Sequence, residues 1–230
     1  MPSTPQDNFD DDYDLEDDYE EIYLEDATYA DTDWDALDPA LVHLHDSILE
    51  MTQEQLLLLE LPALPDDVHR WAAARAWLSH DALDTFLRIT RQLLEAPNTA
   101  RSALLSYPDL RLEYALRLAA QDLTGALAAL EPYAAEPNAS PLELARHRAL
   151  IHLDHGDPEA GLQLMLQAAR EHSPKTPRAG LDLAEDLLQR QRLAMATRLL
   201  DATRARALEL DMHDIADEAE DMVSIYKLLE

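Results

Sequence analysis

From Asp38 onward the apolar residues fall at helical spacing, and the intervals between the runs are closed by prolines and capping residues. Asp38-Pro39 suits a helix start, because Asp accepts free amide hydrogens of the first turn and Pro needs no bond there. Leu41, Leu44, Ile48 and Leu49 then share one face. Thr52-Gln53-Glu54-Gln55 has the form of a capping box leading into the leucine-rich segment 56–61, which Pro62 and Pro65 close. Trp71, Ala74 and Trp77 predict an inward face over 67–79. Asp81 is the expected cap of a partner helix carrying Leu83, Phe86, Leu87, Leu93 and Leu94 up to Pro97. These two helices make a first hairpin, and a short helix over 100–106 is expected to bridge it to the helices beyond residue 107. Residues 1–38 show neither a helical nor an alternating period, so an arm that is disordered when free is expected there.

Beyond residue 107 the pattern repeats every 35 residues, with Gln121, Gly156 and Gln191 in one turn slot. Leu118, Leu153 and Leu188 coincide before the turn. After it come the small residues Ala126, Gly161 and Ala196, then the large ones Leu130, Met165 and Leu200. Small residues let two helices approach, and large ones fill the next layer. Ser140-Pro141-Leu142-Glu143, Asp157-Pro158 and Thr176-Pro177 supply cap-and-proline starts in register with the repeat. The predicted organisation is an arm over 1–38 and a helical domain over 39–230. Within the domain lie N-terminal helices at 39–66, the hairpin at 67–97, repeats at 108–137, 140–174 and 176–210, and a terminal helix at 211–230.

These residues resemble the tetratricopeptide repeat family of antiparallel helix pairs, over about 108–208 with a looser copy at 68–97. The match is clearest in 147–174, where Gly156-Asp157-Pro158-Glu159-Ala160-Gly161 is similar to the family's glycine turn and Pro174 falls near its closing proline. The first helices lack the family's usual Trp, and Gln121 and Gln191 stand at the turn glycine; another stack of helical hairpins is the alternative. The resemblance implies a right-handed superhelix whose inner groove binds a peptide or a helix.

Composition agrees with an all-α fold of stacked antiparallel hairpins: four glycines stand against thirteen prolines, in stretches rich in helix formers. There is no cysteine, which excludes disulfides, thiolate metal sites and a cysteine nucleophile. The formal charge is -29, of which residues 1–40 contribute -16 without a single Lys, Arg or His, while the remaining chain contributes -13. Such a charge repels nucleic acid and anionic membranes and attracts basic proteins. The acidic N-terminus lacks the form of a secretory signal, and no apolar run approaches bilayer length, so a cytoplasmic protein without a membrane span is expected.

Candidate chemistry is recognition chemistry. In the family register Arg111 and Arg146 occupy equivalent groove slots, with Arg178 and Glu185 nearby; a guanidinium ladder would suit an acidic peptide, and local ion pairing on a solvated face is the competing account. In the arm, Phe9, Tyr13, Tyr19, Tyr23 and Trp34 are candidate anchors among acids that steer toward a basic surface, against a plain solubilising tail. His147, His152 and His155 cluster on one helix but read as packing or surface residues, and the acids of 211–221 lack the glycine and ligand order of a calcium loop. Asn138-Ala139-Ser140 fits a glycosylation triplet, yet a helix cap accounts better for Ser140. No nucleotide loop, zinc-protease helix or serine elbow occurs, and neither cofactor nor metal is expected. The leading expectation is a non-enzymatic adaptor whose helical groove recognises a segment of another protein while the acidic arm assists or regulates. The alternative is an acidic inhibitor that imitates nucleic acid on a DNA- or RNA-binding protein. In a third possibility the arm folds back onto the chain's own arginines.

Overall fold

The computed structural model describes residues 29, 38–97, 101–136, 139–171 and 176–226. Among them are eleven α-helices and no strand. The N-terminal helices are α1 (Pro39–Leu49) and α2 (Gln53–Leu58), followed by the hairpin α3 (Asp67–Ser79) and α4 (Leu83–Glu95). Then come α5 (Tyr107–Ala119) with α6 (Leu123–Ala129), α7 (Pro141–His155) with α8 (Pro158–Glu171), α9 (Thr176–Gln189) with α10 (Leu193–Glu209), and α11 (His213–Tyr226). The second helix of each repeat thus begins at 123, 158 and 193, the 35-residue interval seen in the sequence. Short turns make the two helices of each pair antiparallel. Each pair packs on the next: α4 on α5, α6 on α7, α8 on α9 and on α10, and α10 on α11.

Caps start the helices where the sequence places them. Asp38 Oδ1 accepts from Ala40 N at 2.9 Å, and Thr52 with Gln55 closes a reciprocal box whose tighter bond, Thr52 N to Gln55 Oε1, is 2.8 Å. Ser140 Oγ accepts from Glu143 N, whereas the Glu143 side chain turns toward Arg146 and His147, so that box is only half formed. Asp157 accepts from Glu159 N at 3.0 Å, while the cap expected of Thr176 falls on a side chain outside those described.

Two expectations are corrected. Residues 101–106 form a turn, not a helix: Leu104 N donates to Ser102 Oγ and Ser102 N to the Tyr107 hydroxyl, local bonds that compete with helical ones. Asp81 is not a cap; it adopts the left-handed conformation at φ 59°, and Ala82 precedes α4 without a side-chain cap bond. The other left-handed positions among the described residues are Gln191, in the turn between α9 and α10, and Asp211, in the turn between α10 and α11.

The packing slots behave as their chemistry dictates. Ala126 and Ala196, Leu130, Met165 and Leu200 are all fully buried. At Gly161 a Cβ would stand 2.8 Å from the Ala149 carbonyl oxygen, so only glycine lets α8 lie this close to α7. In the N-terminal half the core is aromatic, with Trp71 and Phe86 at 5.7 Å between ring centroids. Toward the C-terminus it is aliphatic, built from Leu153, Leu162, Leu183, Leu199 and Ile215.

Candidate functional site

The predicted groove arginines are engaged by the chain's own carboxylates. Arg111 is buried on α5; its Nη2 donates to Glu136 Oε1 at 2.8 Å and its Nη1 to the Ala129 carbonyl. Arg101 Nη1 donates to the other oxygen of Glu136 at 2.6 Å, while its Nη2 reaches the Leu94 carbonyl and its guanidinium lies 4.4 Å from the Tyr107 ring centroid. Two cations therefore share one carboxylate. The surplus positive charge faces the carbonyls of Leu94 and Ala129 at the ends of α4 and α6, whose partial negative charge offsets part of it. Burial alone would raise the Glu136 carboxyl, but the two guanidiniums reverse this and hold it below its ordinary range. The network continues through the Tyr107 hydroxyl, which donates to Asp67 Oδ2 at 2.9 Å, and on to Arg70, which pairs with Asp67 at 2.8 Å. Burial and the bond to Asp67 push the Tyr107 hydroxyl well above its usual range.

Farther along the stack the ion pairs are regular. Arg146 grips Asp186 with two bonds of 2.8 Å, which joins α7 to α9. Arg178 reaches Glu218 on α11 at 2.8 Å, and Arg198 on α10 holds both oxygens of Glu159 on α8 at 2.9 Å. Arg190 and Asp154 pair at 3.1 Å. Glu185 is exposed on α9. Arg111, Arg146 and Arg178 thus lie on successive first helices, but each guanidinium points at an acid of this chain, because that acid is closer and already ordered. His147 is buried and donates from Nδ1 to the Glu143 carbonyl at 2.8 Å; burial pushes its imidazole down to about 4. Among the described residues no three metal-binding side chains gather at one point.

The unexpected feature is Tyr29. Its backbone pairs with Leu105 in an isolated antiparallel bridge, and its hydroxyl lies 2.8 Å from His45 Nε2, with the two rings edge to face at 5.4 Å. On the other side of that imidazole Nδ1 lies 3.0 Å from Asp46 Oδ1. A carboxylate only accepts, so in the neutral ring Nδ1 donates and Nε2 accepts the Tyr29 proton. Tyr29 packs onto the same core cluster as Met51, Leu59 and Leu61. Between those last residues α2 buries Leu56 but leaves Leu57 71% and Leu58 84% exposed, flanked by exposed Glu54 and Glu60. The signal for Tyr29 in the sequence is local: Ala27-Thr28-Tyr29-Ala30 is an uncharged patch with two β-prone residues inside the acidic arm. Phe9, Tyr13, Tyr19, Tyr23 and Trp34 lie outside the described residues.

No described helix is long and apolar enough to cross a membrane. Comparison with family models, with curated proteins and with solved structures finds no match to this chain.

Proposed function

We propose that this chain is an adaptor that binds a peptide or helix of another protein along its stacked hairpins, with the acidic arm assisting or regulating the contact. The observation that carries this reading is the contrast within the surface. Arg146 and Arg178 are tied up in ion pairs between neighbouring helix pairs, while the capped helix α2 presents two exposed leucines. Charge pairs of this kind fix the spacing of one hairpin on the next, which holds an extended surface in shape without leaving it sticky. A tetratricopeptide-like register, with a right-handed superhelix and an inner groove, is the form of stack this reading adopts.

The test is crosslinking mass spectrometry on complexes captured from the native cell, comparing the 230-residue chain with one lacking residues 1–28, which retains Tyr29. Crosslinks from one partner protein to the helical stack are expected in both, with lower yield from the shortened chain. Recovery of no partner, or of crosslinks confined to the arm, would overturn the reading. The arm's charge also favours imitation of nucleic acid, and that reading predicts that excess DNA displaces the partner.

A further inference from the structure

The first 69 residues contain twenty-two Asp and Glu and no Lys or Arg; the first of either is Arg70. The exposed Leu57 and Leu58 lie inside this stretch, with Glu50, Glu54 and Glu60 exposed around them. We propose that the Leu57–Leu58 face of α2 is the docking site for an amphipathic basic segment of a partner protein. The segment's apolar side chains seat on the two leucines, and its Lys and Arg side chains meet Glu50, Glu54 and Glu60. This proposal rests on the adaptor reading and names the partner's chemistry.

Three observations converge on it. The face is preformed: the Thr52–Gln55 box fixes the start of α2, Leu56 anchors its underside at 2% exposure, and a 3-10 turn at Leu61–Ala63 comes directly after it. Little ordering is left to do when a partner arrives. The face is also ringed by charge, since Glu50, Glu54 and Glu60 are exposed around the two leucines. Those carboxylates raise the local attraction for a cation, and the net charge of -29 adds to it at longer range. Finally, charge selects among occupants. A second copy would bring another -29, and the arm itself carries the same sign as Glu54 and Glu60, so both are repelled where a basic segment is drawn in.

The experiment uses the full chain and a fluorescein-labelled Leu/Lys amphipathic peptide of about 18 residues, long enough to fold as a helix on contact. A peptide of the same composition with its apolar face scrambled is the control. Affinity is read by anisotropy for the wild type, for Leu57→Ser/Leu58→Ser, and for Leu208→Ser/Leu210→Ser, which alters exposed leucines at the far end of the stack. Circular dichroism checks that each variant is folded. The expected result is a loss of roughly tenfold or more for the first double variant, as for a central apolar anchor, and no change for the second. Equal binding by wild type and Leu57→Ser/Leu58→Ser overturns the proposal, as does equal binding of the scrambled peptide. Sedimentation of the wild type as a dimer that the same variant dissolves also overturns it, by assigning the face to a second copy. In the native-cell capture, Leu57→Ser/Leu58→Ser retaining the partner through crosslinks on other helices removes this site but leaves the adaptor reading intact. Capture of no partner by either chain removes that reading instead, while the peptide measurement still decides the chemistry of the face.

Discussion

The two halves of the stack are held together by different means. From α3 to α5 the helices enclose aromatic side chains and a buried polar chain running from Arg70 through Asp67 and Tyr107, with Arg101, Glu136 and Arg111 beside it. From α7 to α11 the core is aliphatic, helices meet at small residues, and ion pairs recur from one hairpin to the next, half-buried at Arg146–Asp186 and exposed at Arg178–Glu218 and Arg198–Glu159. The first half resists exchange of its parts, because its buried polar groups are matched to particular partners. The second half is a run of similar contacts between neighbouring helices.

The comparison breaks most directly at Trp71. Trp71→Ala removes the largest fully buried side chain and is expected to cost about 3–5 kcal/mol, read as the shift in a urea unfolding midpoint. If the halves are coupled only through neighbours, probes in α9 to α11 will unfold at a higher midpoint than probes in α3 and α4; coincident midpoints would make the stack a single cooperative unit. Next in size, Glu136→Ala strands two guanidiniums among buried groups and is expected to cost about 3 kcal/mol, whereas Arg198→Ala, on the exposed pair, should lower the melting temperature only slightly. A similar loss from both would erase the distinction.

pH sharpens the contrast within the C-terminal half. His147 titrates near 6.5 when unfolded and near about 4 when folded, so the unfolded chain binds the extra proton between these values. Stability that is complete above pH 6.5 declines as pH falls toward 4, by up to ~3 kcal/mol. His147→Gln should flatten that slope relative to wild type; an identical slope would assign it to the carboxylates. The exposed Glu159, pulled down to about 2 by the Arg198 guanidinium and then by Gln163, acts lower still. Its contribution is present above pH 4.5 and lost as pH falls toward 2. Tyr29→Phe removes one hydrogen bond and should lower stability by about 1 kcal/mol, less than the buried-site variants, with a thermal melt as readout.

The sequence made the repeat legible because packing slots and caps obey local rules. Ala126, Gly161 and Ala196 had to be small wherever a helix pair closed on a 35-residue interval, and the cap at Asp157 needed only its proline neighbour. The destiny of Arg111 and Arg146 was not local. Their partners lie 25 and 40 residues away, and an arginine on a first helix looks the same whether it faces solvent or Glu136. The period could nonetheless have exposed the pattern: Arg101 and Glu136, Asp154 and Arg190, and Glu159 and Arg198 are opposite charges 35, 36 and 39 residues apart, the distance that returns the chain to a neighbouring hairpin. Tyr29 escaped for another reason. Its partners, Leu105 and His45, are joined to it only by tertiary structure, and neither flanks a motif.

The three left-handed turns at Asp81, Gln191 and Asp211 bear on how this chain could be engineered. None of its four glycines occupies such a position; Gly125, Gly161 and Gly180 lie inside helices. A non-glycine residue held left-handed costs about 1–2 kcal/mol, of which glycine recovers part after its own entropy is counted. Asp81→Gly, Gln191→Gly and Asp211→Gly should therefore each raise the melting point, by about 0.5–1 kcal/mol in stability, without altering any core contact. Evolution has left thermostability unclaimed at the corners of the stack, and three single-residue changes at turns far apart in the sequence could be combined to collect it.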